Sequence, residues 1–278
     1  MKIKSYAKVN LTLRVFEKQA NNFHNIESLV TLVNLHDLIS IKKHSLKKDI
    51  VIFKGKFKKN VNPKKNSIKT TLKILRRLGV IKFFYKISVD KKIPIFAGLG
   101  GGTSNAAFVA RFFLKNFHKN RNLKIFTKEI GTDFKLFFFN QSLQKSLSKI
   151  EKLKKKLNFH LILVHPGFKS KTKEVYSKVK ILRKKSKIRF KDFENTDKTT
   201  NLLIREKNDL QQIVENKHPR VTKIINFIQT QKGCFLSRIT GSGSVCFGLF
   251  KSQKAAKKAL KKIKKKFPHY WCVTTKTI

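Results

Sequence analysis

The chain has 278 residues, 40% of them hydrophobic, and 65 Lys and Arg against 15 Asp and Glu give a formal net charge of +50. That apolar content, with 25 Phe, excludes a disordered chain, and the length allows two modest domains or one large one. Charge interrupts every apolar run before it could cross a membrane, and Met1-Lys2-Ile3-Lys4 does not open a secretory signal, so a cytoplasmic protein without membrane contact is expected.

Residues 3–16 alternate as a strand does, with Ala7, Val9, Leu11, Leu13 and Val15 on one face and Lys8, Asn10, Thr12 and Arg14 on the other. Taken alone, the polar face is the solvent-facing edge of a half-buried sheet. Asn21-Asn22-Phe23-His24-Asn25-Ile26-Glu27-Ser28 follows as a polar turn, where a Phe-His pair can stack on a base or simply line the surface. An apolar segment covers 29–41, and lysine-rich strand and turn material covers 42–60. Asn66 opens a helix through Ile68, Leu72, Leu75 and Leu78 that stops at Gly79. A strand at 83–89 then leads through Pro94, Ile95, Phe96 and Ala97 into Gly98-Leu99-Gly100-Gly101-Gly102-Thr103-Ser104.

Four glycines in five positions, followed at once by a helical apolar run, form a loop feeding a helix N-terminus. The unpaired N–H groups and the dipole there favour an anion, so the stretch reads as a phosphate cradle. The alternative is a connector whose Thr103 or Ser104 caps the helix, but a connector needs one glycine. A P-loop is excluded because no lysine follows the glycines, and a dinucleotide fingerprint because Thr103 stands where glycine is required.

Beyond the loop's helix, 124–130 predicts a short helix closed by Gly131. Thr132-Asp133 follows, then an apolar run at 134–139; Asp133 by itself is a turn or cap residue. The polar stretch 140–158 holds the expected domain boundary near 155. A buried strand at 159–164, helices at 172–179, 201–214 and 221–231, and a strand at 234–239 come next. The last of these ends in a second glycine turn, Thr240-Gly241-Ser242-Gly243-Ser244. A strand at 245–250, an amphipathic lysine-rich helix at 251–267 and a strand at 271–278 complete the chain. That helix reads as packed on its own sheet rather than laid on a membrane. Cys234, Cys246 and Cys272 are widely spaced with no Cys-x-x-Cys, which argues against zinc and against a disulfide framework.

Three pieces, Ser5-Tyr6-Ala7-Lys8-Val9-Asn10-Leu11, the stretch from Pro94 to Ala107, and Ile239-Thr240-Gly241-Ser242-Gly243-Ser244, stand in the order and spacing of the three motifs of the GHMP kinase superfamily, which the chain resembles over nearly its whole length. The Ala-Lys-Val-Asn-Leu opening and the Phe23-His24 turn are most similar to members that phosphorylate a cytidine diphosphate ester of methylerythritol on its tertiary hydroxyl, in the non-mevalonate route to isoprenoids. The resemblance implies an α+β fold of two domains, 1–155 like ribosomal protein S5 domain 2 and 156–278 ferredoxin-like. It implies Lys8 and Asp133 as the catalytic pair and ATP with Mg²⁺ as cofactors. Nucleotide is then bound by Asn66, Pro94, Ile95, Phe96, Ala97, Gly98, Leu99, Gly100, Gly101, Gly102, Thr103 and Ser104, and substrate by Asn10, Phe23, His24 and Thr172. A monomer or homodimer is expected.

Some positions depart from the family pattern. Phe96-Ala97 replaces small residues, commonly glycines; Asn22-Phe23 replaces Gly-Tyr; Phe134-Lys135 replaces Val-Pro; and 142–151 replaces a Gly-rich segment. Two rival readings remain. A homoserine- or mevalonate-type kinase shares the loop but has no reason to carry the Phe23-His24 turn. A nucleic-acid-binding protein fits the charge, yet the lysines run through every segment instead of clustering, A/T-rich codons offer another cause, and the four glycines are left unexplained.

Overall fold

The computed structural model describes residues 1–18, 24–114, 123–180, 188, 193 and 195–278. The alternation over 3–16 gives two strands, β1 (Lys2–Asn10) and β2 (Arg14–Lys18), rather than the single predicted one. Between them the chain changes partners: Leu11 N–H donates to the Leu29 carbonyl and Leu13 N–H to that of Lys207. The polar face is not a solvent edge either, since Lys8, Asn10, Thr12 and Arg14 are all buried. Arg14 is tolerated there because Glu206 accepts two hydrogen bonds from its guanidinium, both 2.6 Å.

The described part of the predicted turn, from His24 on, and the apolar segment belong to one 21-residue strand, β3 (His24–His44), followed by β4 (Ile50–Lys54). α1 (Ser67–Arg77), β5 (Phe84–Asp90), α2 (Gly101–Phe113) and α3 (Leu123–Ile130) fall where the pattern places them. The apolar run after Asp133 is a 3-10 helix, Thr132–Phe138, whose Phe134 stacks on Phe126 with ring centroids 5.0 Å apart. The polar stretch at 140–158 contains a hairpin, β6 (Gln141–Gln144) and β7 (Ile150–Lys152). Polar residues can sit in its buried strand when backbone groups satisfy them. Gln141 does this by donating to the Leu157 carbonyl at 2.8 Å and accepting from Leu157 N–H at 2.7 Å.

β8 (His160–His165) and α4 (Thr172–Ser177) follow. The helix predicted at 201–214 is two, α5 (Thr196–Arg205) and α6 (Gln211–Lys217). It breaks because Glu206 is extended, with ψ 148°, and Asn208 bridges to Leu13. α7 (Arg220–Gln229), β9 (Cys234–Ile239), β10 (Cys246–Phe250), α8 (Gln253–Lys266) and β11 (Trp271–Lys276) complete the described elements. The three cysteines are free thiols.

By contact the chain forms two compact units that interleave in sequence. The first comprises Met1–Lys8, Leu35–Ile95 and Gly100–Phe139. In it the second half of β3 pairs antiparallel with β5, in register from Leu38 opposite Asp90 to His44 opposite Phe84, and β5 pairs parallel with β4. α1 and α2 pack together, burying Ile68, Leu72 and Leu75 from one and Ala106, Ala107 and Ala110 from the other.

The second unit comprises Val9–Asn34, Phe96–Leu99 and Asn140–Ile278. Here the first half of β3 pairs with β2 and β6, and β6 with β7. A separate antiparallel sheet has the order β11-β8-β10-β9, built from a β-α-β-β-α-β succession as in ferredoxin-like domains. Its core gathers Ile162, Val164, Ile224, Ile228, Ile239, Phe250 and Ile263. α8 buries Ala256, Ala259 and Ile263 and exposes its lysines, so its apolar stripe is consumed by packing.

Two outcomes are expected of these ion pairs and buried groups. Glu206→Ala leaves Arg14 buried without its principal partner and should cost about 3 kcal/mol in urea denaturation, the scale for breaking a buried pair. Removing the exposed Glu129 carboxylate beside Arg77 should cost less than about 1 kcal/mol. The second outcome concerns His165, whose Nδ1 lies 3.0 Å from Ser244 Oγ while that hydroxyl donates to the Phe168 carbonyl. Burial lowers His165 from 6.5 to about 4. Below the unfolded-state value the denatured chain takes up a proton that the folded chain refuses, so this contribution to stability is full above pH 6.5 and is lost as pH falls toward 4. Urea midpoints should therefore drop more steeply over that window in the wild type than in His165→Asn; parallel profiles would contradict the assignment.

Candidate active site

The glycine loop enters α2 through Gly100, which caps the helix in the left-handed conformation at φ 67°. Ser104 N–H is the first to find its helical carbonyl, that of Gly100, at 2.8 Å. The amides of Gly101, Gly102 and Thr103 precede it and have no carbonyl within the helix, so this end presents donors and the positive end of the dipole. The four glycines serve different needs. A Cβ at Gly98 would lie 2.3 Å from the Thr240 carbonyl oxygen, one at Gly100 2.8 Å from Phe137 Cζ, and one at Gly101 3.0 Å from Ile93 Cγ2. Those three are demanded by the protein's own packing. At Gly102 the nearest atom would be Ser67 Oγ, 3.8 Å away, so here the backbone lies open for a ligand to approach. Ser67 Oγ also donates to the Gly102 carbonyl at 2.7 Å, tying the start of α1 to the start of α2.

Lys8, near the end of β1, and Asp133, in the first turn of the 3-10 helix after α3, pair at 3.2 Å between Nζ and Oδ2. The lysine side chain is 7% exposed and the aspartate side chain 33%, so the cation is enclosed while the carboxylate stays accessible. The stem of Lys8 runs beside Gly100, its Cγ 3.1 Å from where a Cβ there would sit. A carboxylate, an ammonium and the amide-rich end of a helix thus stand together within the first unit. This constellation can accept a proton and stabilise charge developing on a nearby oxygen.

Several residues expected at the nucleotide have their side chains engaged inside the protein. Asn66 caps α1, accepting from Lys69 N–H at 3.1 Å and donating to the carbonyls of Asn62 and Pro63. Ser104 is buried, its hydroxyl donating to the Tyr6 carbonyl at 2.6 Å. Thr103 and Ile95 are half-buried, and Pro94, Ala97 and Leu99 are buried. Phe96 is 56% exposed, with φ 55°. A left-handed backbone costs a side-chain-bearing residue roughly 1–2 kcal/mol, a cost glycine would not carry.

Asn10, His24 and Thr172 belong to the second unit, where the second glycine turn meets Asn10 and Thr172. Thr240 Oγ1 accepts from Asn10 N–H at 2.9 Å, and Asn10 Nδ2 donates to Ser28 Oγ at 2.8 Å. Thr172 Oγ1 lies 3.0 Å from Ser242 Oγ, and Val245 N–H donates to the Ala97 carbonyl at 3.2 Å. His24 bonds the Phe16 carbonyl through Nδ1 at 3.0 Å and lies 5.9 Å from the Tyr176 ring, nearly parallel to it. Phe23 lies outside the described residues. Thr240, Ser242 and Ser67 were not among the expected site residues. The glycine turn that signals the first two is visible in the sequence, whereas Ser67 is marked by nothing but its place beside Asn66.

Comparison with known proteins accords with this geometry. Residues 66–131 match the model of the GHMP kinases N terminal domain, and 190–269 that of the GHMP kinases C terminal. The 4-diphosphocytidyl-2-C-methyl-D-erythritol kinase of Pelagibacter ubique is 39% identical over 286 aligned positions, covering 100% of this chain and 99% of that protein. A solved 4-(cytidine 5'-diphospho)-2C-methyl-D-erythritol kinase shares the fold at TM-score 0.74 and 21% identity, over 99% of both chains. The homoserine kinase of Cytophaga hutchinsonii does so at TM-score 0.70 and 19% identity, over 100% of this chain and 94% of that one. On the full-length similarity and both domain matches, the chain belongs to the 4-diphosphocytidyl-2-C-methyl-D-erythritol kinase family of the GHMP kinases.

Proposed function

We propose that this chain transfers the γ-phosphoryl group of ATP to the tertiary hydroxyl of 4-diphosphocytidyl-2-C-methyl-D-erythritol, with Asp133 and Lys8 at the reacting oxygen. The observation that carries the reading is the 3.2 Å Lys8–Asp133 pair, whose lysine stem lies against Gly100 at the amide-rich end of α2. Phosphoryl transfer depends chiefly on positioning and on neutralising the equatorial oxygens. The amides of Gly101, Gly102 and Thr103 supply donors to the phosphates within the 94–104 loop, Ser104 holds the start of α2 through the Tyr6 carbonyl, and Asn66 is assigned beside the adenine. Asp133 accepts the hydroxyl proton as the oxygen attacks. Lys8 offsets the charge that develops there.

Among the described residues no group of three His, Cys, Asp or Glu side chains forms a ready cation cage. That suits a magnesium ion that arrives on the nucleotide and takes one or two protein oxygens at most. When bound, it neutralises the β- and γ-phosphate oxygens. For the acceptor, Asn10 is assigned to the sugar-alcohol hydroxyls, His24 with Phe23 to the cytidine end, and Thr172 to a further substrate-side segment. Residues 1–155 and 156–278 are proposed as the two domains of a monomer or homodimer acting in the cytoplasm; among the described residues no helix is long and apolar enough to cross a membrane.

A coupled assay of ADP release tests the reading. The cytidylylated acceptor should be turned over in preference to homoserine or mevalonate, and a faster rate with either of those would overturn the substrate assignment. Asp133→Asn keeps the shape of the side chain and removes the proton acceptor, so kcat should fall by roughly 10²–10⁴ with the KM for ATP little changed. A loss confined to KM would place Asp133 in binding instead.

A further inference from the structure

Asp37 is a fully buried carboxylate in the middle of β3, in a chain where acids are scarce, and the phosphoryl-transfer reading gives it no role. Its partners flank the glycine loop on both sides. Oδ1 accepts from Lys92 N–H at 2.7 Å and Ile93 N–H at 2.9 Å, the two amides just before Pro94. Oδ2 accepts from the Lys91 ammonium and from Asn105 Nδ2, the latter at 2.9 Å, near the start of α2. Lys91 Nζ also donates to Asn105 Oδ1 at 3.2 Å, and Asn105 Nδ2 to Ser5 Oγ at 2.9 Å. Ser5 Oγ in turn lies 2.7 Å from Ser104 Oγ. The same Lys91 Nζ is 3.3 Å from where a Cβ on Gly101 would sit.

A buried Lys–Asp pair contributes little net stability over an apolar replacement of the same volume, because both ions have lost their water. What such a network can supply is geometry: every acceptor site of the carboxylate is matched to a group whose position matters. We propose that Asp37 is a positioning residue for nucleotide binding. It fixes residues 92–93 and 104–105 relative to one another and thereby sets how the α2 amides meet the phosphates. The inference rests on residues 94–104 being the ATP loop.

The test uses the full chain with two variants, Asp37→Asn and Asp37→Asn combined with Lys91→Met. The second strands no charge and so guards against simple misfolding. In both, the KM for ATP should rise roughly tenfold, the scale on which small misplacements act, while the KM for the cytidylylated acceptor stays within about twofold of wild type. A purely structural role lowers the melting temperature and the active fraction and leaves both KM values unchanged; that result, in either folded variant, overturns the proposal. If Asp37→Asn alone does not fold, the double variant decides. A wild type whose rate does not saturate with ATP refutes the ATP-loop reading itself, whereas saturation in the wild type with unchanged variants refutes only the role of Asp37.

Discussion

The place of Lys8 depends on residue 100 having no side chain. A Cβ there would press on the lysine stem and on Phe137 together, and the φ of 67° is one that only glycine adopts without strain. The same residue therefore caps α2, lets Phe137 close in behind it, and leaves room for the stem of Lys8, which pairs with Asp133. Two residues 125 positions apart in the chain are brought to the positive end of one helix by a local backbone requirement. The ammonium is enclosed and the carboxylate partly open, which is the asymmetry a proton acceptor and its charge partner need.

Burying cations governs much of the rest. The chain carries +50, and most of its lysines can stay solvated at the surface. The few basic groups that fold inward are matched to carboxylates: Lys8 to Asp133, Lys91 to Asp37, and Arg14 to Glu206 with Glu27 at 3.8 Å. Arg238 is the variation on this rule, donating to the carbonyls of Leu11, Leu203 and Glu206. Burial there lowers its pKa to about 10, a shift that the nearby Glu206 opposes. The buried acids Glu27, Asp37 and Glu206 thus each stand beside a buried cation.

Local pattern made α1, α2 and the glycine loop legible, because caps, left-handed glycines and helical periodicity are short-range properties. The parity that puts Lys8 and Asn10 on one side of β1 is of the same kind. Burial of that side was not legible, since it depends on Thr240 and Glu206, some two hundred residues away. The break between α5 and α6 has the same cause: an uninterrupted periodic pattern yields where Glu206 and Asn208 are drawn into tertiary pairs. Gln141 and Gln144 read as surface and are buried in a strand. Asn66 and Ser104 sit where the motif places them, yet their side chains serve the helix and the core, so a motif marks a position more reliably than it marks an atom. Asp37 carries no local signal at all, as its four partners come from two distant segments of the chain, 91–93 and Asn105.

The central claim is that Lys8 and Asp133 act as one unit at the end of α2, and a double-mutant cycle on kcat reads this most directly. The loss in Lys8→Ala combined with Asp133→Asn should be well below the product of the two single losses, because removing either residue disables the pair. Multiplicative losses would mean that the two residues act independently, and would contradict the account.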